Sequence, residues 1–101
     1  GGHSFHAQIN TEARAAKCVL VCWTPAAAHS EWVIGEAEIG RARGVLAPAF
    51  LAATDLPPPF NTLHAFDLTR WGGDHNEFEW LALLDRIGAL VGRTGLRNVA
   101  L

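Results

Sequence analysis

Cys18-Val19-Leu20-Val21-Cys22-Trp23-Thr24 is an apolar run that closes on a single hydroxyl residue. β-Branched and aromatic side chains fill it, and a continuous apolar segment of this length is the pattern of a strand covered on both faces by helices. Thr24-Pro25 ends it. Downstream, His29 to Arg43 (HSEWVIGEAEIGRAR) reads as a helix. Ser30 is its N-cap, Glu31 sits in the first turn where the dipole favours an acid, Arg41 and Arg43 sit in the last turn, and Gly44 is the stop. Upstream, Phe5 to Lys17 (FHAQINTEARAAK) has Ile9, Ala13 and Ala16 at helical spacing and reads as a short amphipathic helix.

Further along, Val45 to Leu51 (VLAPAFL) is a second apolar run of strand length. Pro48 removes a ladder donor from it, which predicts a place at the edge of the sheet. Ala52 to Thr62 (AATDLPPPFNT) is a surface loop, since its three consecutive prolines exclude helix. Leu63 to Thr69 (LHAFDLT) is a third strand, closed by Trp71-Gly72-Gly73. In the last element, Asn76 and Glu79 make a capping-box-like start. Trp80, Leu83, Leu84, Ile87, Leu90 and Val91 then recur on one helical stripe, which runs to about Val91 or Gly92. Strands alternating with helices predict an α/β fold with a parallel sheet, because right-handed crossovers place the helices on its faces. Three strands make a thin sheet, and the first is the most apolar, so a further strand is expected upstream.

The chain has 101 residues, enough for one domain and too few for two, so residues 1–101 are read as a single domain. Half the residues are hydrophobic and 18% are charged, which excludes disorder and low complexity. The formal charge is -2 and no basic cluster appears, so neither nucleic acid nor an anionic membrane is an expected partner. No apolar run approaches the length of a membrane span and no signal-peptide pattern opens the chain, which makes a cytoplasmic location the expectation. Cys18 and Cys22, on one strand, stand about 13 Å apart and cannot pair with each other. They read as buried thiols acting as small hydrophobes in a reducing compartment. The chain has no methionine and opens on Gly1-Gly2, the pattern of an excerpt or a cloning remnant.

In an open α/β sheet, ligands bind at the carboxyl ends of the strands, which puts Trp23, Thr24 and the start of the next helix at the natural location. Glu36 belongs to that helix. Its neighbours one turn away are Trp32, Val33, Ile39 and Gly40, so it has no local cation and shares a largely apolar face with an indole. A carboxylate held against apolar surface is desolvated, which suits it to acid, base or charge-stabilising work; the competing reading is that it extends to water at the helix edge. Glu38, three residues before Arg41, reads as an ordinary surface acid. His3 and His6 form an H-x-x-H pair without an evident third ligand, and no HExxH pattern is present, so no metal site is predicted. Ser30 reads as a cap and not a nucleophile, because no G-x-S-x-G elbow surrounds it, and His29 reads as a polar loop residue. Glycine-rich phosphate loops are missing from the sequence.

Taken in order, the segments Val19-Leu20-Val21-Cys22-Trp23-Thr24-Pro25, Ser30-Glu31-Trp32-Val33-Ile34-Gly35-Glu36 and Arg41-Ala42-Arg43-Gly44-Val45-Leu46-Ala47-Pro48 resemble the Toll/interleukin-1 receptor (TIR) domain, most closely its bacterial members. The family's Ser-x-Trp-x-x-x-Glu motif is matched by Ser30, Trp32 and Glu36, and Val45, Leu46 and Pro48 echo the apolar pair before a proline in the following strand. Asp67-Leu68 with Trp71 is similar to the family's fifth-strand ending. The resemblance implies a flavodoxin-like parallel sheet flanked by helices. It also implies, as in the enzymatic members, cleavage of the nicotinamide glycosidic bond of NAD in signalling or defence, with Glu36 catalytic and Trp32, Ser30, Thr24, Trp23 and Phe5 around the substrate. NAD is then a substrate, and no resident cofactor or metal is implied. Other members are non-catalytic protein–protein interaction modules, and self-association with other TIR domains is implied by both. A complete domain of this family begins with a strand, a helix and a second strand, so the first two strands are expected to be lacking, with Gly1 to His6 a remnant of the loop that closes over the nucleotide. A flavodoxin-like receiver is disfavoured, since Thr24 stands where its acidic residue would be.

Overall fold

The computed structural model describes residues 12–93, 95 and 96. Among these, the elements run β1 (Val19–Trp23), α1 (Pro25–Ala28), α2 (Glu31–Arg43), β2 (Leu46–Phe50), a 3-10 turn (Phe60–Thr62), β3 (Phe66–Asp67) and α3 (Phe78–Val91). The strands form one parallel sheet in the order β1-β2-β3, with helices on both faces, so the fold is the α/β, flavodoxin-like arrangement expected. Residues 12–15 are helical and belong to the helix expected over Phe5 to Lys17; the earlier part of that segment lies outside the described residues.

The two faces of β1 differ. Val19, Val21 and Trp23 are buried beneath α2 with Ala37, Leu46 and Phe60. Leu20 (49% exposed) and Cys22 point the other way into solvent. Burial on both faces was expected, and the structure corrects this: α3 packs on β2 and β3, where Leu83 meets Ala47, Ala49 and Leu68, and stops short of β1. An apolar run reports that a strand could be covered twice, not which neighbours are there to cover it.

Pro48 lies in the central strand, not at the edge, and the hydrogen bonds explain why it is tolerated. Val19 N–H donates to Val45 O at 2.9 Å and Leu51 N–H to Trp23 O at 3.0 Å, so alternate residues from Val45 to Leu51 address β1. Leu68 N–H donates to Phe50 O at 2.9 Å, so Leu46, Pro48 and Phe50 address the β3 side. On that side the pairing begins only at Ala49–Phe66. The donor that Pro48 lacks would therefore point to a stretch of edge where no strand has yet started. Arg86 of α3 occupies that stretch: its Nε donates to Leu46 O at 3.3 Å, and its Nη2 to Leu46 O at 3.2 Å and Gly44 O at 3.3 Å.

β3 is shorter than the expected Leu63 to Thr69. The Leu63 N–H is held by Phe60 O at 3.2 Å in the 3-10 turn, and Thr69 turns back on Asp67, with its N–H and hydroxyl both donating to Asp67 Oδ1 at 2.9 and 2.6 Å. These local bonds compete with ladder pairing at both ends. α1 was not foreseen. It forms because Thr24 Oγ1 accepts from Ala27 N at 3.1 Å and Pro25 occupies the first helical turn, where its missing N–H costs nothing.

α2 begins and ends as the sequence predicts. Ser30 Oγ accepts from Val33 N, and Gly44 closes the helix in the left-handed conformation at φ 73°. α3 is capped by Glu77, not Asn76: a Glu77 carboxylate oxygen accepts from Trp80 N at 3.0 Å, while Glu79 reaches across to accept from Asp67 N at 3.2 Å. Trp71 stacks on Trp80 with centroids 4.3 Å apart, and its Nε1 donates to Asp74 O at 2.7 Å, so both indoles serve packing.

One close approach holds α2 against the sheet. A Cβ placed on Gly40 would lie 2.9 Å from the Cβ of Val19 on β1, whereas one placed on Gly35, in the same helix, meets nothing within 4 Å. Gly40→Val is therefore expected to destabilise the fold by about 1–3 kcal/mol through overpacking. Gly35→Ala should stabilise it by about 0.5–1 kcal/mol through helix propensity. Denaturant midpoints of the two variants measure both, and equal shifts would mean that α2 does not rest on β1 at this point.

Candidate functional site

At the carboxyl end of β1 the chain passes through two short-range caps. Thr24 and Ser30 both use their side-chain oxygens as acceptors for helix N–H groups, Ala27 at 3.1 Å and Val33 at 3.4 Å, which turns the chain from the sheet into α2. Each hydroxyl keeps its proton to donate. Trp23 has no exposed surface; its ring packs on Phe60 with centroids 5.4 Å apart, so it stands behind the carboxyl end of the strand and does not line it. Its Nε1 is buried without a hydrogen-bond partner among the described residues. Phe5 lies outside the described residues.

Glu36 is half-buried in α2. At about 1.5 Å per residue it stands roughly 9 Å along the helix from Ser30, near its middle. Its flank follows from helical spacing. Arg43, seven residues on, projects in the same direction and donates to Ala13 O at 2.6 Å, in the segment that leads into β1. Arg41 projects the other way, toward β2 and β3. The carboxylate of Glu36 therefore lies on the flank of α2 that overlooks the outer edge of β1, with Trp32, also half-buried, one turn before it. No hydrogen bond or ion pair within the described residues engages Glu36. Glu38 contrasts with it, two residues away. Arg41 grips it through both carboxylate oxygens, Nε to Oε2 at 2.9 Å and Nη2 to Oε1, which holds Glu38 below and Arg41 above their ordinary pKa values. The surface pairing expected for Glu38 is thus present.

Two adjoining clefts of about 380 and 480 Å³ open at the carboxyl ends of β2 and β3. Phe50, Thr54 and Asp55 line both; Asn61 joins one, and Asp67 and Thr69 the other. The bonds from Thr69, first its hydroxyl and then its N–H, hold Asp67 below the ordinary aspartate pKa. Carboxylates, hydroxyls and an amide suit the recognition of hydroxyl groups, and the two acids disfavour a phosphate. Glu36, Trp32, Ser30 and Thr24 line neither cleft. Asp55, Thr54 and Thr69 were not singled out from the sequence. The rule that ligands gather at the carboxyl ends of parallel strands was the signal available for them, but only once the end of each strand was located.

Among the described residues no group of His, Cys, Asp and Glu could hold a metal ion; His3 and His6 lie outside them. Cys18 and Cys22 are unpaired. Cys22 is exposed, which corrects the expectation that both are buried. Partial desolvation raises both thiols above the ordinary value, with Arg86 opposing the rise at Cys18, so neither is an activated nucleophile. No helix among the described residues is long and apolar enough to cross a membrane.

Residues 1–84 match the TIR domain family, a span that takes in the sheet, α2 and the first half of α3. The chain belongs to the TIR domain family. No curated protein and no solved structure matches it. Within this TIR domain the Ser30, Trp32 and Glu36 triplet occupies the cap and first two turns of a single helix, α2, and the acid-lined clefts belong to the neighbouring strands.

Two outcomes are expected from this geometry. Thr69→Val removes the hydroxyl but keeps the main-chain donor, so the pKa of Asp67, followed by NMR titration of its carboxyl carbon, should rise toward the ordinary aspartate value. Ser30→Ala should lower stability by about 1 kcal/mol in chemical denaturation and Ser30→Asp should restore it, because either an aspartate or a serine oxygen can cap α2.

Proposed function

We propose that this TIR domain, a single domain over residues 1–101, cleaves the nicotinamide glycosidic bond of NAD, with Glu36 as the catalytic carboxylate. Membership of a family with enzymatic members supports the reading, and so does the position of Glu36, half-buried beside Trp32 and without a hydrogen bond or ion pair among the described residues. The second point carries it. A scaffold has no need of a half-buried acid that lacks a partner among the described residues, while a developing cation has use for it.

The chemistry needs one negative charge at the right place. The bond between the ribose C1′ and the pyridinium nitrogen breaks with its electron pair moving onto nitrogen, so nicotinamide leaves neutral and C1′ becomes oxocarbenium-like. The Glu36 carboxylate stabilises or traps that centre, and water then supplies the oxygen to C1′ and loses a proton, giving ADP-ribose. Trp32 packs beside the substrate or supports Glu36. Thr24 and Ser30 cap their helices and offer hydroxyl donors at the sheet's carboxyl end. NAD is the substrate, and no resident cofactor enters the scheme. A cytoplasmic setting supplies NAD, and the role is in signalling or defence.

The second reading is a non-catalytic interaction module that recruits other TIR domains. Two observations favour it: Glu36 lines none of the clefts described among these residues, and Leu20 and Cys22 leave the β1 part of one sheet face exposed to a partner. Self-association serves both readings, because the flank of Glu36 overlooks an edge of β1 that pairs with no strand among the described residues and that a neighbour would wall off.

Release of nicotinamide from NAD across a range of protein concentrations separates the two. Catalysis by Glu36 predicts release that rises with assembly and falls roughly 10²–10³-fold in Glu36→Gln, with Glu38→Gln unchanged. Equal release from wild type and Glu36→Gln would remove the acid from the mechanism, and self-association without release would leave the module.

A further inference from the structure

The amino-terminal end of the sheet carries a further cleft, which shares only Leu63 with the clefts at the carboxyl ends. It measures about 320 Å³ and forms where β3 is too short to cover the β2 edge, at the low end of the size range of small-molecule sites. Its walls are Leu46 and Pro48 of β2, Leu63, and the ring of Phe66. Because Pro48 carries no N–H, that part of the edge offers no donor to water and stays apolar.

Three basic side chains complete the lining, Arg41, His64 and Arg86, and no carboxylate lines it. Arg86 is the most constrained of them. Its Nε and Nη2 are spent on the carbonyls of Gly44 and Leu46, which hold the guanidinium plane against the strand edge. Nη1 and its two hydrogens take no part in those bonds and remain available to an acceptor. The bonds to carbonyls neutralise none of the charge, whereas Arg41 shares its charge with Glu38 and adds chiefly its stem. His64 meets Phe66 edge to face at 5.2 Å, so an aromatic corner stands opposite the arginine.

We propose that this cleft binds a small organic anion with a flat apolar body, of the aromatic carboxylate class: the ring lies against Pro48, Leu63 and Phe66, and the carboxylate takes the Nη1 donors of Arg86. A rigid arginine facing an apolar wall binds such a ligand with little loss of side-chain freedom, since the carbonyls of β2 have already fixed it. The site is independent of Glu36, which lies on the opposite flank of α2.

The test is a two-dimensional amide NMR titration of the whole chain with benzoate, with benzamide as the uncharged isostere and acetate as the anion without a ring. Saturable benzoate shifts are expected at Leu46, His64 and Phe66, with both comparators at least tenfold weaker. Arg86→Gln should weaken benzoate at least tenfold. Because Arg86 also ties down the β2 edge, Leu63→Glu is the second variant: it leaves Arg86 in place, puts a like charge at the exposed mouth and should weaken benzoate as strongly without changing Tm. Lack of saturation, equal binding of benzamide, indifference to Leu63→Glu, or shifts confined to the Leu20 and Cys22 face would each overturn the proposal.

Discussion

Gly40 against Val19 sets the spacing between α2 and the sheet, and most of what is specific to this domain follows from that contact. With no side chain at position 40, the helix settles so close that Ala37 and Val33 complete the core above Val21 and Trp23. Once that stripe is fixed, helical geometry determines the rest. Glu36 and Arg43 fall on the flank facing the outer edge of β1, and Glu38 and Arg41 on the flank facing β3. A larger residue at position 40 would lift or roll the helix and move both flanks together. The candidate catalytic acid and the anion cleft are therefore positioned by one packing contact, although neither touches it.

A second constraint acts at the centre of the sheet. β2 must pair on both sides, yet it contains a proline and its outer neighbour is two residues long. The conflict is resolved by division of labour: β1 receives one set of alternating backbone groups, β3 receives the end of the other set, and Arg86 takes the carbonyls left over. A buried carbonyl without a donor costs on the order of 1–3 kcal/mol, so the arginine is a structural part of the sheet edge as well as a charge beside it.

Much of this was legible in the sequence because it is local. Ser30, Glu31 and Gly44 delimit α2 through bonds made within four residues, and Val19 to Trp23 announces a strand by composition alone. The parallel sheet followed from alternation of element types. What could not be read depends on partners distant in the chain. The central place of Pro48 rests on a third strand that starts only at Phe66, the brevity of β3 on turns at both its ends, and the exposure of Leu20 and Cys22 on where α3 stops. For the site, the contrast between Glu36 and Glu38 was visible from their neighbours at one-turn spacing. The carboxyl-end clefts were not, because Asp55 and Thr54 come from a loop whose path is set by the tertiary fold and not by local sequence.

The placement of Glu36 also bears on how a TIR domain of this form could act. Its flank looks past β1, whose outward-pointing N–H and C=O groups have no strand beside them among the described residues. An acid there is half-shielded by its own helix and Trp32, but the other half of its surroundings must come from elsewhere. Water alone on that side would screen the charge and weaken its pull on a cationic centre, since a unit charge at about 4 Å is worth some four times less in water than near a protein surface. A neighbouring protein surface laid along the β1 edge would exclude that water and raise the worth of the same carboxylate without moving it. On the proposed reading, assembly and catalysis would be linked by dielectric as much as by shape, which is why the dependence of turnover on protein concentration discriminates the two readings more sharply than the geometry of Glu36 alone.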